Sequence, residues 1–375
     1  MFSNWCLLQP TKEYRYNMTQ ASSGLSEKNE VELILGNSNS NFSGVTSTML
    51  QVLSHQQKLI NLRVMGKHFL SDQTLAISFW QTTLMCRKPL KNGKWRIFHA
   101  RRVDEMIQAV ILKYVFGAKI KIVFSSAAQR FRSGPTLWLT RKMDAVIAIS
   151  NASAKYLVDP PDLLNPHGIQ TNDYVPAVNK EVAWRALGFP GRYGIAILGR
   201  VRKQKGVHLF VESCIELLHK YPDYTAVVVG AISSGNQDFV DDLKQKAADA
   251  GLSERILFTG ELPFERIPLI FSALSLVTAL SDNEGFGLTV LEAMSSGAAV
   301  LATQAGAWEE IIRPEVDGYV VPVNDLAAVK EKLDLLLADP ARLAQMGIDG
   351  RQRVLQHYTV EREAKDLVDF FRSLQ

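Results

Sequence analysis

At 375 residues the chain is too long for one ordinary core and suits two domains. Its 47% hydrophobic and 21% charged content are those of a soluble folded protein, and its three scattered cysteines (Cys6, Cys86, Cys214) form neither a disulfide framework nor a zinc site, which points to a reducing cytoplasm. The net charge of +4 hides an asymmetry: residues 1–170 carry 21 Lys/Arg against 10 Asp/Glu, whereas residues 171–375 carry 21 against 28.

Residues 1–30 have no basic start followed by an apolar core, so a secretory signal is not expected. They read as a flexible lead-in, with Met18 as an alternative start. No apolar run reaches the roughly eighteen residues that a membrane span requires. From Val31 the chain becomes regular. VELILGN predicts a strand, and NSNSNFSGVTSTMLQVLSHQ a polar turn running into a helix. WRIFHA and KIKIVFSS predict strands on either side of a helix over 103–116, and MDAVIAISNASAKYL a further strand and helix.

Within this first half, residues 87–102 (RKPLKNGKWRIFHARR) hold seven cations and no acid. Such a field favours an anionic partner, whether acidic substrate, membrane surface or nucleic acid. A solvated basic loop is the alternative. A nucleic-acid partner has the least support, because Trp95 and Phe98 are the only aromatics in the run and no nucleic-acid motif occurs. Prolines at 160, 161 and 166 then break the pattern, and looser composition up to Pro190 reads as an interdomain linker.

The second half alternates strictly. GIAILG, TAVVVG, RILFTG, LSLVTAL and AAVLAT are short apolar strands, separated by helices near 207–220, 236–250, 263–271 and 288–297. Strands of this kind belong to parallel sheets covered on both faces. The fold class is therefore α/β with two doubly wound Rossmann-like domains, over 31–170 and 171–355, and ligands bind such sheets at the carboxyl ends of their strands. A last helix, in 356–375, has no following strand.

Three turns carry the chemistry. In NEGFGLTVLEAMSSG, Gly285 and Gly287 let the backbone approach a ligand at a helix N-terminus. A carboxylate at Glu284 would repel phosphate and suits the hydroxyls of a neutral polyol, and Glu292 suits a ribose. The alternative makes Glu284 a helix-dipole partner and Glu292 a surface residue. In GRVRKQKG, Arg200 and Lys205 follow a strand and can neutralise a diphosphate, stabilising a leaving group whose charge grows in the transition state; two solvated loop cations are the alternative. In NFSGVTST, Gly44 precedes a helix and can meet phosphate across a cleft, a weak signal alone. His99 closes a strand as a polar group facing that cleft, or as a histidine satisfied by neighbouring backbone. No Asp-x-Asp, no Walker-type phosphate loop and no G-x-G-x-x-G occurs, so no metal and no nicotinamide cofactor is expected.

Together, GRVRKQKG, FTGEL and NEGFGLTVLEAMSSGAAVLAT resemble glycosyltransferase family 4, retaining enzymes of the GT-B fold, over most of residues 194–325. NFSGVTST, FHARRVDEM and FSSAAQR look more narrowly like the lipopolysaccharide-core mannosyltransferases of the rhizobial group. The resemblance implies a metal-independent hexosyltransferase that uses a nucleotide-sugar donor, GDP-mannose, and an anionic glycolipid acceptor at the inner face of the cytoplasmic membrane. It implies that Glu284 holds sugar hydroxyls and that Gly285, Phe286, Gly287 and Leu288 lie near sugar and phosphate. Glu292 then binds ribose, Arg200 and Lys205 the diphosphate, and Leu262 lines the nucleobase pocket. Arg101 and Arg102 are the expected acceptor contacts, and the terminal helix is expected to pack back on the first domain. Many members place a histidine where this chain has Ser125-Ser126-Ala127, so that role does not transfer and His99 is the nearest substitute. The alternatives are a UDP-sugar enzyme with another acceptor, or a non-catalytic binder of sugar nucleotide or anionic lipid.

Overall fold

The computed structural model describes residues 30–41 and 43–375; the expected lead-in, with Met18 and Cys6, lies outside them but for Glu30. The first half comprises β1 (Leu33–Gly36), α1 (Gly44–Gln56), β2 (Leu62–Met65), β3 (Ala76–Ile77), α2 (Phe79–Cys86), β4 (Arg96–Ala100), α3 (Val103–Tyr114), β5 (Ile120–Ser126), α4 (Gly134–Thr140), β6 (Ala145–Ala148), α5 (Asn151–Ala154) and β7 (Leu163–Leu164). These strands form one sheet in the order β3-β2-β1-β4-β5-β6-β7, with every neighbouring pair parallel. Successive side chains alternate between faces. Leu33, Leu35, Ile97 and Val123 point into a core shared with α1, whereas Ile34, Phe98, Ile122 and Phe124 point into a core under α3 and α4.

The second half comprises α6 (Lys180–Ala186), β8 (Tyr193–Leu198), α7 (Val207–Leu217), β9 (Tyr224–Val229), α8 (Gln237–Asp249), β10 (Ile256–Gly260), α9 (Ile267–Ala273), β11 (Leu274–Ala279), α10 (Leu288–Ser295), β12 (Ala299–Thr303), α11 (Trp308–Ile311), β13 (Gly318–Val321), α12 (Leu326–Ala338), α13 (Pro340–His357) and α14 (Val360–Leu374). Its sheet runs β10-β9-β8-β11-β12-β13, again parallel throughout. In each sheet the strand order reverses once, between β1 and β4 and between β8 and β11. A crevice opens at such a reversal because the flanking connections leave on opposite faces. Among the described residues no helix is long and apolar enough to cross a membrane.

Three details bear on the sequence expectations. The stretch expected as a loose linker is tied down: Ser295 Oγ and Arg351 Nη1 both donate to Tyr174 O, at 2.8 and 2.9 Å. α14 buries Val360, Ala364, Leu367, Val368 and Phe371 in the α1-side core of the first sheet. This i, i+4, i+7, i+8, i+11 spacing is one face of a helix. Finally, the basic run does not act as a single field. β4 passes through it, so Arg87, Lys88, Lys91 and Lys94 precede the strand's amino end, and only His99, Arg101 and Arg102 sit at its carboxyl end. The four leading cations therefore cannot line a cleft built on carboxyl ends.

Candidate active site

The two reversal points face one another across a cleft of about 430 Å³. On the second-half side, the turn after β8 supplies Gly199, Arg200 and Lys205, and the turn after β11 supplies Glu284, Gly285, Phe286, Gly287, Leu288 and Thr289. The turns are held together by their backbones. Gly206 has φ +71°, and a Cβ there would stand 2.1 Å from Leu280 O, so only glycine lets the first turn lean on the end of β11. The Asp282 N–H then donates to Gln204 O at 3.0 Å. As a result Lys205 Nζ donates to Glu284 Oε2, in a pair whose side chains are 22% and 26% exposed. No side chain caps α10, which leaves the N–H groups of its first turn facing the cleft for an anion.

On the first-half side the cleft is lined by Ser43, Gly44, His99, Arg101 and Ser125, with His167 and Glu363 completing the wall. His99 is 1% exposed, and its Nε2 lies 2.7 Å from Ser125 Oγ. Burial first, then the nearby Arg101 and His167, hold its pKa well below the usual imidazole value, so it stands in the cleft as a neutral ring. Arg101 donates its backbone N–H to Glu105 Oε2 at 2.7 Å, whereas its buried side-chain Nη1 has no partner among the described residues. Glu363 reaches the site from α14: it accepts from the Gly168 N–H at 2.7 Å and bonds His167 Nδ1 at 2.8 Å. The halves also touch at the cleft rim, where Gln129 Nε2 donates to Gly285 O at 3.1 Å, and beyond it, where the Asn151 and Ala152 N–H groups donate to the Glu310 carboxylate at 2.9 and 2.8 Å.

Residues 183–353 match the family model described as "Glycosyl transferases group 1". Over 346 residues the chain is 39% identical to the "Lipopolysaccharide core biosynthesis mannosyltransferase LpcC" of Rhizobium leguminosarum bv. viciae, covering 92% of this chain and 97% of that protein. This chain belongs to the group 1 glycosyltransferases. It is also 38% identical to the mannosyltransferase LpsB of Rhizobium meliloti (strain 1021), over 92% of this chain and 98% of that one. Among solved structures, Anabaena HepE in complex with UDP and glucose matches with a TM-score of 0.71 at 18% identity, over 92% of this chain and all of that one, a likeness of fold alone. The fold is GT-B.

Within this glycosyltransferase, three of the residues singled out by sequence do not line the cleft. Arg102 Nη2 donates to Ser43 Oγ and Thr46 Oγ1, both at 2.7 Å, and so ties the end of β4 to the start of α1. Leu262 lines a second cavity, with Leu257, Phe258, Arg266 and Ile270. Glu292 sits more than a turn into α10, where Tyr174 Oη donates to its Oε1 at 3.1 Å. Asn165, His167 and Glu363 line the cleft with no motif of their own in the sequence, and Ser125 lines it from FSSAAQR, where the motif assigns it no role.

The environment of Glu292 has a measurable consequence. Burial raises its pKa from 4.5 to about 7, against the lowering effect of the Tyr174 bond. An acid with a raised folded-state pKa binds a proton more tightly folded than unfolded. Its contribution to stability is therefore complete below about 4.5 and lost as pH rises to about 7. Glu292→Gln is expected to remove that loss, so urea titrations should show wild type weakening relative to the variant between those two pH values. An identical pH dependence in both proteins would refute the assignment.

Proposed function

We propose that this glycosyltransferase transfers mannose from GDP-mannose to an anionic lipopolysaccharide-core acceptor of the Kdo–lipid A type, with retention of configuration and without a metal ion. The observation that carries the reading is the Lys205–Glu284 pair beside Arg200 at the β8/β11 reversal, facing Arg101 across the cleft. A sugar diphosphate matches this set in chemistry: cations for the phosphates, a carboxylate for vicinal hydroxyls and uncapped helix N–H groups between them. Mannose and the lipopolysaccharide core are supported by the names of the two rhizobial relatives.

In this reading the acceptor hydroxyl attacks the anomeric carbon from the side of the leaving diphosphate. The new carbon–oxygen bond forms as the sugar–phosphate bond breaks, and the hydroxyl proton passes to a phosphate oxygen. Arg200 and Lys205 stabilise the charge that grows on that oxygen. His99, a neutral ring bonded to Ser125, contributes hydrogen bonding in the acceptor wall. The unpartnered Nη1 of Arg101 is a donor held ready for an acceptor carboxylate or phosphate. A nucleotide-sugar donor places the reaction on the cytoplasmic side of the membrane.

The test is a nucleotide-release assay with GDP- and UDP-sugars on purified Kdo–lipid A, with and without a chelator. GDP release from GDP-mannose, dependent on acceptor and unchanged by the chelator, is expected. Release from UDP-sugars alone would overturn the donor, loss with chelator would overturn metal independence, and no release from any donor would favour a binding protein.

A further inference from the structure

We propose that the outer face of the α2–α3–α4 layer is a docking surface for an anionic phospholipid bilayer, a proposal that rests on the reading of the acceptor as lipid-anchored. The inner side of this layer is ordinary core: Met106, Ala109, Leu112 and Leu139 are buried against the first sheet. The outer side is not an ordinary surface. Trp80 and Leu84 on α2 are 63% and 68% exposed, Trp138 on α4 is 55% exposed, and Val115, just past α3, is 71% exposed. Along α3 itself Val103, Ile107 and Ile111 are all exposed, and with Val115 they recur every four residues as one apolar stripe. Solvated helix faces carry polar residues at such positions, so a stripe extended by two exposed tryptophans marks a surface meant to be covered.

Beyond the first turn of α3, the charge around this face is mostly positive. Arg87, Lys88, Lys91 and Lys94 precede β4, Lys119 follows α3, and Arg141 and Lys142 follow α4. No Asp or Glu occurs in residues 73–103 or 106–143. Asp104 and Glu105 open α3, where Asp104 accepts from Ser38 Oγ and Glu105 from the Arg101 and Arg102 N–H groups. Two further acids among the described residues near the far end of the layer are also engaged. Glu30 accepts from the Lys91 N–H at 2.6 Å and lies 3.8 Å from Arg96, and Asp144 accepts from Lys113 Nζ and from the Ile122 N–H, both at 2.6 Å. Lysines also stand over the rings: Lys119 Nζ is 5.6 Å from the Trp95 centroid, and Lys142 Nζ is 5.5 Å from that of Trp138.

This pairing of tryptophan with lysine selects the partner. Protein interfaces are enriched in aromatics and arginine but depleted in lysine. Single-stranded nucleic acid needs free ring faces for stacking, whereas here lysines cover the faces and Trp80 meets Phe116 edge to face at 5.5 Å. A bilayer interface takes both groups together, since tryptophan settles at headgroup level and lysine reaches anionic phosphates. The geometry also serves the cleft. α3 starts beside Arg101 and Arg102, and its twelve residues carry the stripe about 18 Å from the cleft lip. A bilayer lying along α3 brings a lipid-anchored acceptor to that lip.

The test is co-sedimentation of the full chain with vesicles of phosphatidylglycerol plus phosphatidylethanolamine and with vesicles of phosphatidylcholine alone. Two variants are compared with wild type: Trp80→Ser with Trp138→Ser, and Lys88→Glu with Lys94→Glu and Lys142→Glu. All five positions lie outside the cleft lining. Wild type is expected to bind the anionic vesicles, with a loss of about tenfold or more in each variant and little binding to phosphatidylcholine. Turnover of a deacylated, water-soluble acceptor reads the catalytic assignment separately and is expected to stay within about twofold of wild type. The surface is overturned if wild type does not bind anionic vesicles, if it binds phosphatidylcholine equally, or if both variants bind like wild type. Self-association through this face without vesicle binding would also overturn it, in favour of a second copy.

Discussion

Lys205→Ala is expected to lower kcat by about 100- to 1000-fold, the effect of removing one preorganised donor from a developing anion. Lys205 lies in a short turn that Gly206 presses against β11, so its ammonium is aimed before any ligand arrives. The ammonium is held by Glu284. A sugar diphosphate offers each partner something better: phosphate oxygens for the lysine and vicinal hydroxyls for the carboxylate. The pair thus keeps both groups ordered and partly neutralised until the donor separates their roles. Loss of fold is not the cause of the expected rate loss, because a partly exposed ion pair is worth at most about 1 kcal/mol.

A nucleoside diphosphate without sugar distinguishes this account from a general loss of charge. It should bind Lys205→Ala about tenfold or more weakly, since a phosphate contact is gone and Glu284 is left as an uncompensated repulsive charge. It should bind Glu284→Gln more tightly than wild type, because the lysine is no longer shared. Glu284→Gln should nevertheless lose turnover, having lost its acceptor for the sugar hydroxyls. Calorimetric titration of both variants beside steady-state kinetics checks all three. A Lys205→Ala enzyme within twofold of wild type in kcat and in diphosphate affinity would refute the donor assignment.

What was legible in the sequence divides along a physical line. Arg200, Lys205 and Glu284 to Leu288 were readable because a strand end, a glycine turn and a helix start are local events, and the turn fixes where its residues go. Parallel strands were readable as apolar runs because both of their faces are covered. Residues that depend on distant partners were not. Glu363 and His167 meet at 2.8 Å from positions 196 apart, and only the return of α14 onto the first sheet brings them together. Arg101 and Arg102 are neighbours with different fates, since one side chain lines the cleft while Nη2 of the other bonds Ser43 and Thr46. The basic run failed as a unit for a similar reason. The five residues of β4 separate its ends by about 17 Å. Glu284 and Glu292 were both read as ligand contacts, yet only Glu284 lines the cleft, whereas Glu292, more than a turn into α10, accepts from Tyr174 of the segment expected to be loose.

Gly287→Ala is expected to abolish transfer and to lower the thermal midpoint by roughly 10 °C, from a loss of about 3–5 kcal/mol. Two costs add. Gly287 has φ +87°, where a side chain is strained by about 1–2 kcal/mol. A Cβ at this position would also stand 2.2 Å from Trp308 Nε1 and 2.5 Å from its Cε2. The indole cannot retreat, because Trp308 is 2% exposed in the main core and its Nε1–H donates to Gly287 O at 3.0 Å. The displaced group is therefore the turn itself, and with it the Lys205 partner and the start of α10. Gly285→Ala, two residues earlier, is the control: its new Cβ would find nothing nearer than Ala127 O at 3.6 Å. That variant should melt like wild type, so any activity it loses reports crowding of the ligand and not collapse of the turn. If Gly287→Ala melted with wild type, the indole would not be what fixes the turn, and the preorganised placing of Glu284 would need another source.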